Sequence, residues 1–196
     1  MKKPFSLLII ACICTQFTMG QQAASTTAHK FELRAGVGLL TVPEIGTTIA
    51  AAVSASLVPV GYSDIKVTST LPAIPVSFLI HPDNRFSYGA DIIFNGMSSD
   101  FSYTNGTKSS VKSNFFTILL RGDLHYINKQ GFKVYGSLAA GPSFFKSTGS
   151  TGTSSSTRLG YQVTPIGLSF GNSFMGWAEL GFGYRGILSA GLAYRF

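Results

Sequence analysis

From residue 30 onward, apolar and small-or-polar residues change places at every second position. They do so in eight stretches, near 30–41, 65–80, 85–97, 111–127, 132–145, 158–170, 173–184 and 187–196. A period of two belongs to a β-strand with two unlike faces. The last stretch is the clearest. Leu188, Ala190, Leu192, Tyr194 and Phe196 fall on one phase, and Ser189, Gly191, Ala193 and Arg195 on the other. Elsewhere the apolar phase carries residues such as Phe31, Leu33, Phe94, Phe116, Leu120, Leu138, Phe182 and Tyr184, and no charge is expected on it within the strands. The other phase carries Glu32, Arg34, Asp91, Arg121, Asp123, Lys133, Glu179, Arg185 and Arg195 among Gly, Ser and Ala.

The connections alternate in length. Long segments (42–64, 98–110, 146–157) take turns with tight ones, "HPDN" at 81–84, "NKQG" at 128–131 and "GN" at 171–172, and the last link is Arg185 and Gly186. Strands joined in this way form an up-and-down meander, and in transmembrane barrels the tight turns lie at one rim and the long loops at the other. The third long segment, "STGSTGTSSST", is polar and low in complexity, so a mobile loop is expected there. The first predicts a short helix between Val42 and Leu57. Thr41 and Glu44 have capping-box spacing, Pro43 sits in the first turn, and Ile45, Ile49, Val53 and Leu57 make one apolar stripe. Such a stripe has two places to go, over the mouth of a barrel or against a lipid leaflet.

Composition decides which phase points outward. Only 12 % of residues are charged, against 22 glycines and 16 phenylalanines. A soluble barrel would show water a surface of which about a quarter to a third is charged, and the polar phase here is too poor in charge for that. Lipid outside fits better, since a charge at mid-bilayer costs a barrel about 2–4 kcal/mol. The expected fold is therefore all-β, an eight-stranded antiparallel transmembrane barrel over 30–196. Its inward charges, five basic and four acidic, must then pair with one another. Aromatic residues near strand ends (Phe31, Tyr88, Tyr126, Tyr194; Phe144, Tyr161, Tyr184) read as interfacial belts. A net charge of +7 without a basic cluster gives no footprint for nucleic acid.

The start, "MKKPFSLLIIACICTQFTMG", has a basic end, an apolar run and small residues near Gly20. It reads as a secretory signal peptide over 1–20, cut after Gly20 or near Ala23 and Ala24, followed by a short segment 21–29. Both cysteines, Cys12 and Cys14, fall inside it. Lipoprotein processing before a lipidated Cys12 is the alternative, suggested by "LIIAC".

An ordered strand running to the final residue has a reason in this setting. A bilayer tolerates no open sheet edge, so the last stretch must pair with the first. Leu192, Tyr194 and Phe196 resemble the C-terminal signal of bacterial outer-membrane barrels, an aromatic terminus preceded by apolar residues at alternate positions. "ELGFGYRGILSAGLAYRF" and the strand pattern together resemble the small eight-stranded family that includes OmpX and the membrane domain of OmpA. The resemblance implies an outer-membrane location, contact with outer-membrane lipid, a monomer, and recognition of the C-terminal strand by the barrel-assembly machinery. It implies an extracellular partner at the loops without naming one.

Other motifs fail on context. "GFGYRG" (181–186) has the dinucleotide-site spacing, but only ten residues follow and they read as strand, so no cofactor is expected. "GLSFG" (167–171) runs into a tight turn rather than a helix, against a nucleophile elbow. His29, His81 and His125 form no metal-ligand spacing, and Asn105 carries a glycosylation pattern that more simply marks a turn. Asp91, Asp123 and Glu179 beside Arg34 and Arg121 read as lumen ion pairs with Glu32 and Arg195, not as an acid–base pair. No enzyme is expected. The function read from the sequence is a structural anchor or surface-interaction protein. A narrow channel for small or hydrophobic solutes is the alternative, and a lipid A-modifying enzyme the third reading.

Overall fold

A computed structural model describes residues 30–57, 62–103, 108–149 and 152–196; the expected signal peptide, the 21–29 segment and Asn105 lie outside them. The chain forms eight strands: β1 (Phe31–Leu39), β2 (Tyr62–Ile80), β3 (Phe86–Tyr103), β4 (Lys108–Lys129), β5 (Phe132–Gly149), β6 (Gly152–Gly171), β7 (Phe174–Gly183) and β8 (Leu188–Arg195). A helix, α1 (Val42–Leu57), follows β1. Each strand pairs antiparallel with the next, and β8 pairs with β1 to close the barrel. Closure is complete at the terminus. Phe31 and Phe196 exchange backbone hydrogen bonds of 3.0 and 2.9 Å, which places both ends of the barrel domain at the rim of the tight turns.

The alternation read from the sequence sorts the side chains. Phe31, Leu33, Phe94, Leu120, Leu138 and Phe182 stand on the outer surface, Leu120 with 75 % of its area exposed, while Glu32, Arg34, Asp91 and Arg121 are buried inside. On β4 the outer apolar run extends from Phe116 to Tyr126, about the length a tilted strand needs to cross a hydrocarbon core. Turn chemistry sets the lower rim. Asp83 Oδ1 accepts from the backbone N–H groups of Phe86 (2.6 Å) and Arg85 (2.7 Å), and these donors hold its carboxyl below the usual range.

Helix α1 begins as its sequence predicts and covers the expected run to Leu57. Thr41 N–H donates to Glu44 (2.8 Å) and Glu44 N–H to Thr41 Oγ1 (3.4 Å), a reciprocal capping box. Asn95 Nδ2 donates to the same Thr41 oxygen (3.0 Å), which ties the cap inside the mouth of the barrel. In the apolar stripe Ile45 is half-buried and Ile49 is 59 % exposed; the side chains of Val53 and Leu57 lie outside the described set.

Three expectations need correction. First, most of the expected loops at 98–110 and 146–157 is strand. β5 and β6 run to Gly149 and from Gly152, with Ser147 opposite Ser154 and Thr148 opposite Thr153. A polar Ser/Thr tract satisfies a ladder as well as an apolar one once β-branched threonines face each other across it. Second, Tyr184 is not on the outer belt. β7 ends at Gly183, whose φ of +151° breaks the alternation and turns Tyr184 inward, where it is 8 % exposed. Third, the outward phase does carry charge. Lys112 on β4 and Lys146 on β5 share the phase of Phe116 and Phe144, one or two steps above the apolar belt.

Candidate functional site

The barrel interior holds the chain's concentrated chemistry, arranged in layers. The middle layer contains three guanidiniums and three carboxylates. Arg121 Nε lies 2.5 Å from Asp123 Oδ1, and its Nη2 donates to Asp123 Oδ2 (3.0 Å) and Glu179 Oε1 (2.7 Å). Asp91 stands 3.8 Å from Arg121 and 3.3 Å from Arg185, whose Nη1 also reaches Glu179 Oε2 at 3.0 Å. Arg34 donates to the Tyr135 hydroxyl (2.7 Å), which in turn donates to Glu179 (2.8 Å). Aromatic faces complete the layer, with Arg34 over the Tyr135 ring at 4.8 Å and Arg185 over Trp177 at 5.2 Å. Alternation explains this convergence. Asp91, Arg121 and Glu179 sit on inward positions of β3, β4 and β7.

Toward the turn rim, Glu32 gathers a second group. It pairs with Arg34 and Arg195, and its Oε2 lies 2.9 Å from His81 Nε2. Ser87 Oγ meets His81 Nδ1 at 2.7 Å, and the His125 ring lies 5.9 Å from that of His81. Burial pushes the His81 imidazole below its ordinary pKa. A neutral ring with its proton on Nε2 fits both contacts, donating to Glu32 and accepting from Ser87. Hydroxyl, imidazole and carboxylate thus stand in the order of a hydrolase relay. Ser87 is fully buried, however, and Glu32 is also paired with two arginines, so the three groups form a hydrogen-bonded chain inside the rim.

Toward the loop rim the interior turns apolar. Ile93, Met97, Phe115, Leu119 and Tyr184 pack together there, with Thr117 and Ser143 hydrogen-bonded nearby at 2.7 Å. This layer, and the approach of the two histidines to each other, are what the sequence reading missed. Ile93, Met97 and Leu119 occupy the polar phase, and counting glycines and serines on that phase hid them. The histidines lie 44 positions apart but flank one rim, a proximity that the hairpin order alone contained.

The structure places the candidate residues plainly. Glu32, Arg34, Asp91, Arg121, Asp123 and Glu179 are at most 3 % exposed and share one network, with Arg195 at its lower edge. Leu192, Tyr194 and Phe196 are outward, each more than half exposed, and the Tyr194 and Phe196 rings stack at 6.0 Å. "GLSFG" sits in β6 and runs into the tight turn, with Ser169 buried and donating to Met175 sulfur. In "GFGYRG", a Cβ at Gly181 would meet the Val163 carbonyl at 2.6 Å, so this glycine serves close strand packing. No family model matches the chain, and no curated protein matches it.

Proposed function

We propose that this protein is an integral outer-membrane barrel that works as an anchor, presenting its loop-rim hairpins to the outside as an interaction surface. The observation that carries the reading is the filled interior, three arginines against three acids beneath an apolar layer, inside a wall whose outer face is apolar. Eight strands enclose a space that side chains can just fill. Ions cannot cross this layer of buried, paired charges without breaking the pairs, so the anchor is favoured over the channel. The exposed upper parts of β5 and β6, rising past the belt, suit contact with a partner. In this reading the leader directs export and Leu192, Tyr194 and Phe196 address the assembly machinery. No hydroxyl–base pair stands open on the outer face among the described residues, which gives a lipid-modifying enzyme no support.

Planar-bilayer recording tests the proposal. The anchor predicts no steady conductance above the bare bilayer. Reproducible unitary steps from purified protein would overturn it in favour of a channel.

A further inference from the structure

We propose that the outer wall carries a binding site for a membrane lipid with an anionic phosphate headgroup, at the upper edge of the apolar belt across β3 to β6. The proposal rests on the membrane-spanning reading above. A cleft of about 780 Å³ lies there. Its floor is a row of three phenylalanines in register, Phe94 opposite Phe116 and Phe116 opposite Phe144, with ring centroids 5.1 and 6.1 Å apart. All three are outward and at least 36 % exposed. Its rim, one step higher on the same phase, is polar. Asn114 stands opposite Lys146, and Lys146 opposite Ser155.

Two features separate this place from the rest of the belt. It is concave, so an acyl chain lying on the aromatic row contacts walls as well as floor. It also places cations directly above that row. Lys112 is outward on β4, diagonal to Lys146 in the register, a separation within reach of one phosphate group. Neither lysine has a carboxylate within ion-pairing distance among the described residues; Asp100, diagonal to Lys112 on β3, makes no ion pair with it. Unpaired ammoniums above a lipid-facing aromatic row suit a phosphate, with Asn114 and Ser155 supplying hydrogen bonds and the phenylalanines holding the chain.

The test uses purified protein in nonionic micelles, given equal amounts of phosphatidylglycerol and phosphatidylcholine with the same acyl chains. Native mass spectrometry then counts the lipid retained. Wild type is expected to retain phosphatidylglycerol in preference. Each of Lys112→Gln and Lys146→Gln should reduce that preference about fivefold, the share of one lysine near an anionic headgroup. Phe116→Ala should lower total lipid retention and leave the preference intact. Lys129→Gln, at the opposite rim, should change neither.

Equal retention of the two lipids by wild type would overturn the site. So would an unchanged preference in the double lysine variant, or an equal loss in Lys129→Gln, which would mean unspecific charge attraction. Flotation with vesicles separates the two layers of the argument. Protein that floats without lipid preference sinks only the site, and protein that does not float sinks the membrane reading and the site together.

Discussion

Arg121→Leu removes the cation that ties the middle layer together. Arg121 makes close contacts with Asp123 at 2.5 and 3.0 Å and with Glu179 at 2.7 Å. After its loss, Glu179 still has Arg185 at 3.0 Å and the Tyr135 hydroxyl at 2.8 Å, and Asp91 still has Arg185 at 3.3 Å. Asp123 keeps only Arg34, at 3.8 Å, so it bears the cost. Two guanidiniums then face three carboxylates in a fully buried layer, and breaking such a network by removing one partner costs about 3–5 kcal/mol. Urea unfolding in micelles reads this directly. With a slope of about 2 kcal/mol per molar, the midpoint should fall by about 1.5–2.5 M. Adding Asp123→Asn removes the stranded charge and should restore more than half of the loss. A single variant within about 1 kcal/mol of wild type, or a double variant no better than the single, would refute the claim that the layer is balanced through Arg121.

Three further outcomes are expected. At Gly36 an added Cβ would meet the Trp177 ring and the Ala190 carbonyl, each at 2.4 Å. Gly36→Val should therefore destabilise by about 3 kcal/mol or more, and full retention of the urea midpoint would contradict the packing described. Asn95→Leu removes the only side chain among the described residues that donates to the buried Thr41 hydroxyl, and limited proteolysis within 42–57 should speed up while the barrel stays intact. Deleting Phe196 should reduce outer-membrane levels in cells far more than it lowers the stability of refolded protein; normal levels would remove its role as an assembly signal.

The eight strands were legible because a barrel wall forces strict alternation, and one phase held almost no charge through the belt. Phe31, Phe94, Leu120 and Phe182 reveal it one position at a time. The charged members of the interior were legible for the same reason, since Arg121 and Glu179 fall on the phase opposite the apolar one. Which acid meets which arginine was legible only in part: Asp123 lies two residues from Arg121 on one strand, whereas Glu179 reaches it because β4 and β7 face each other across a lumen, a distance that no local spacing records. Tyr184 was lost to a single glycine, Gly183, whose backbone conformation resets the phase. The upper strands were hidden by composition. Ser147, Thr148, Thr153 and Ser154 look like a linker in one dimension and form a paired ladder in three. The amphipathic edge formed by Lys112, Lys146 and the phenylalanine row became visible only when four strands were laid side by side.

The central claim is that the apolar phase faces lipid and the charged phase fills the interior. The sequence has two cysteines, Cys12 and Cys14, so with both replaced by serine a Leu120→Cys substitution offers a unique site for a nitroxide label in the middle of the outer face. In protein reconstituted into lipid bilayers, power-saturation spectroscopy compares access of the label to oxygen, which partitions into lipid, and to a water-soluble nickel complex. High oxygen access and exclusion of the nickel complex are expected at position 120. The opposite result, a label open to nickel and poor in oxygen, would contradict the claim.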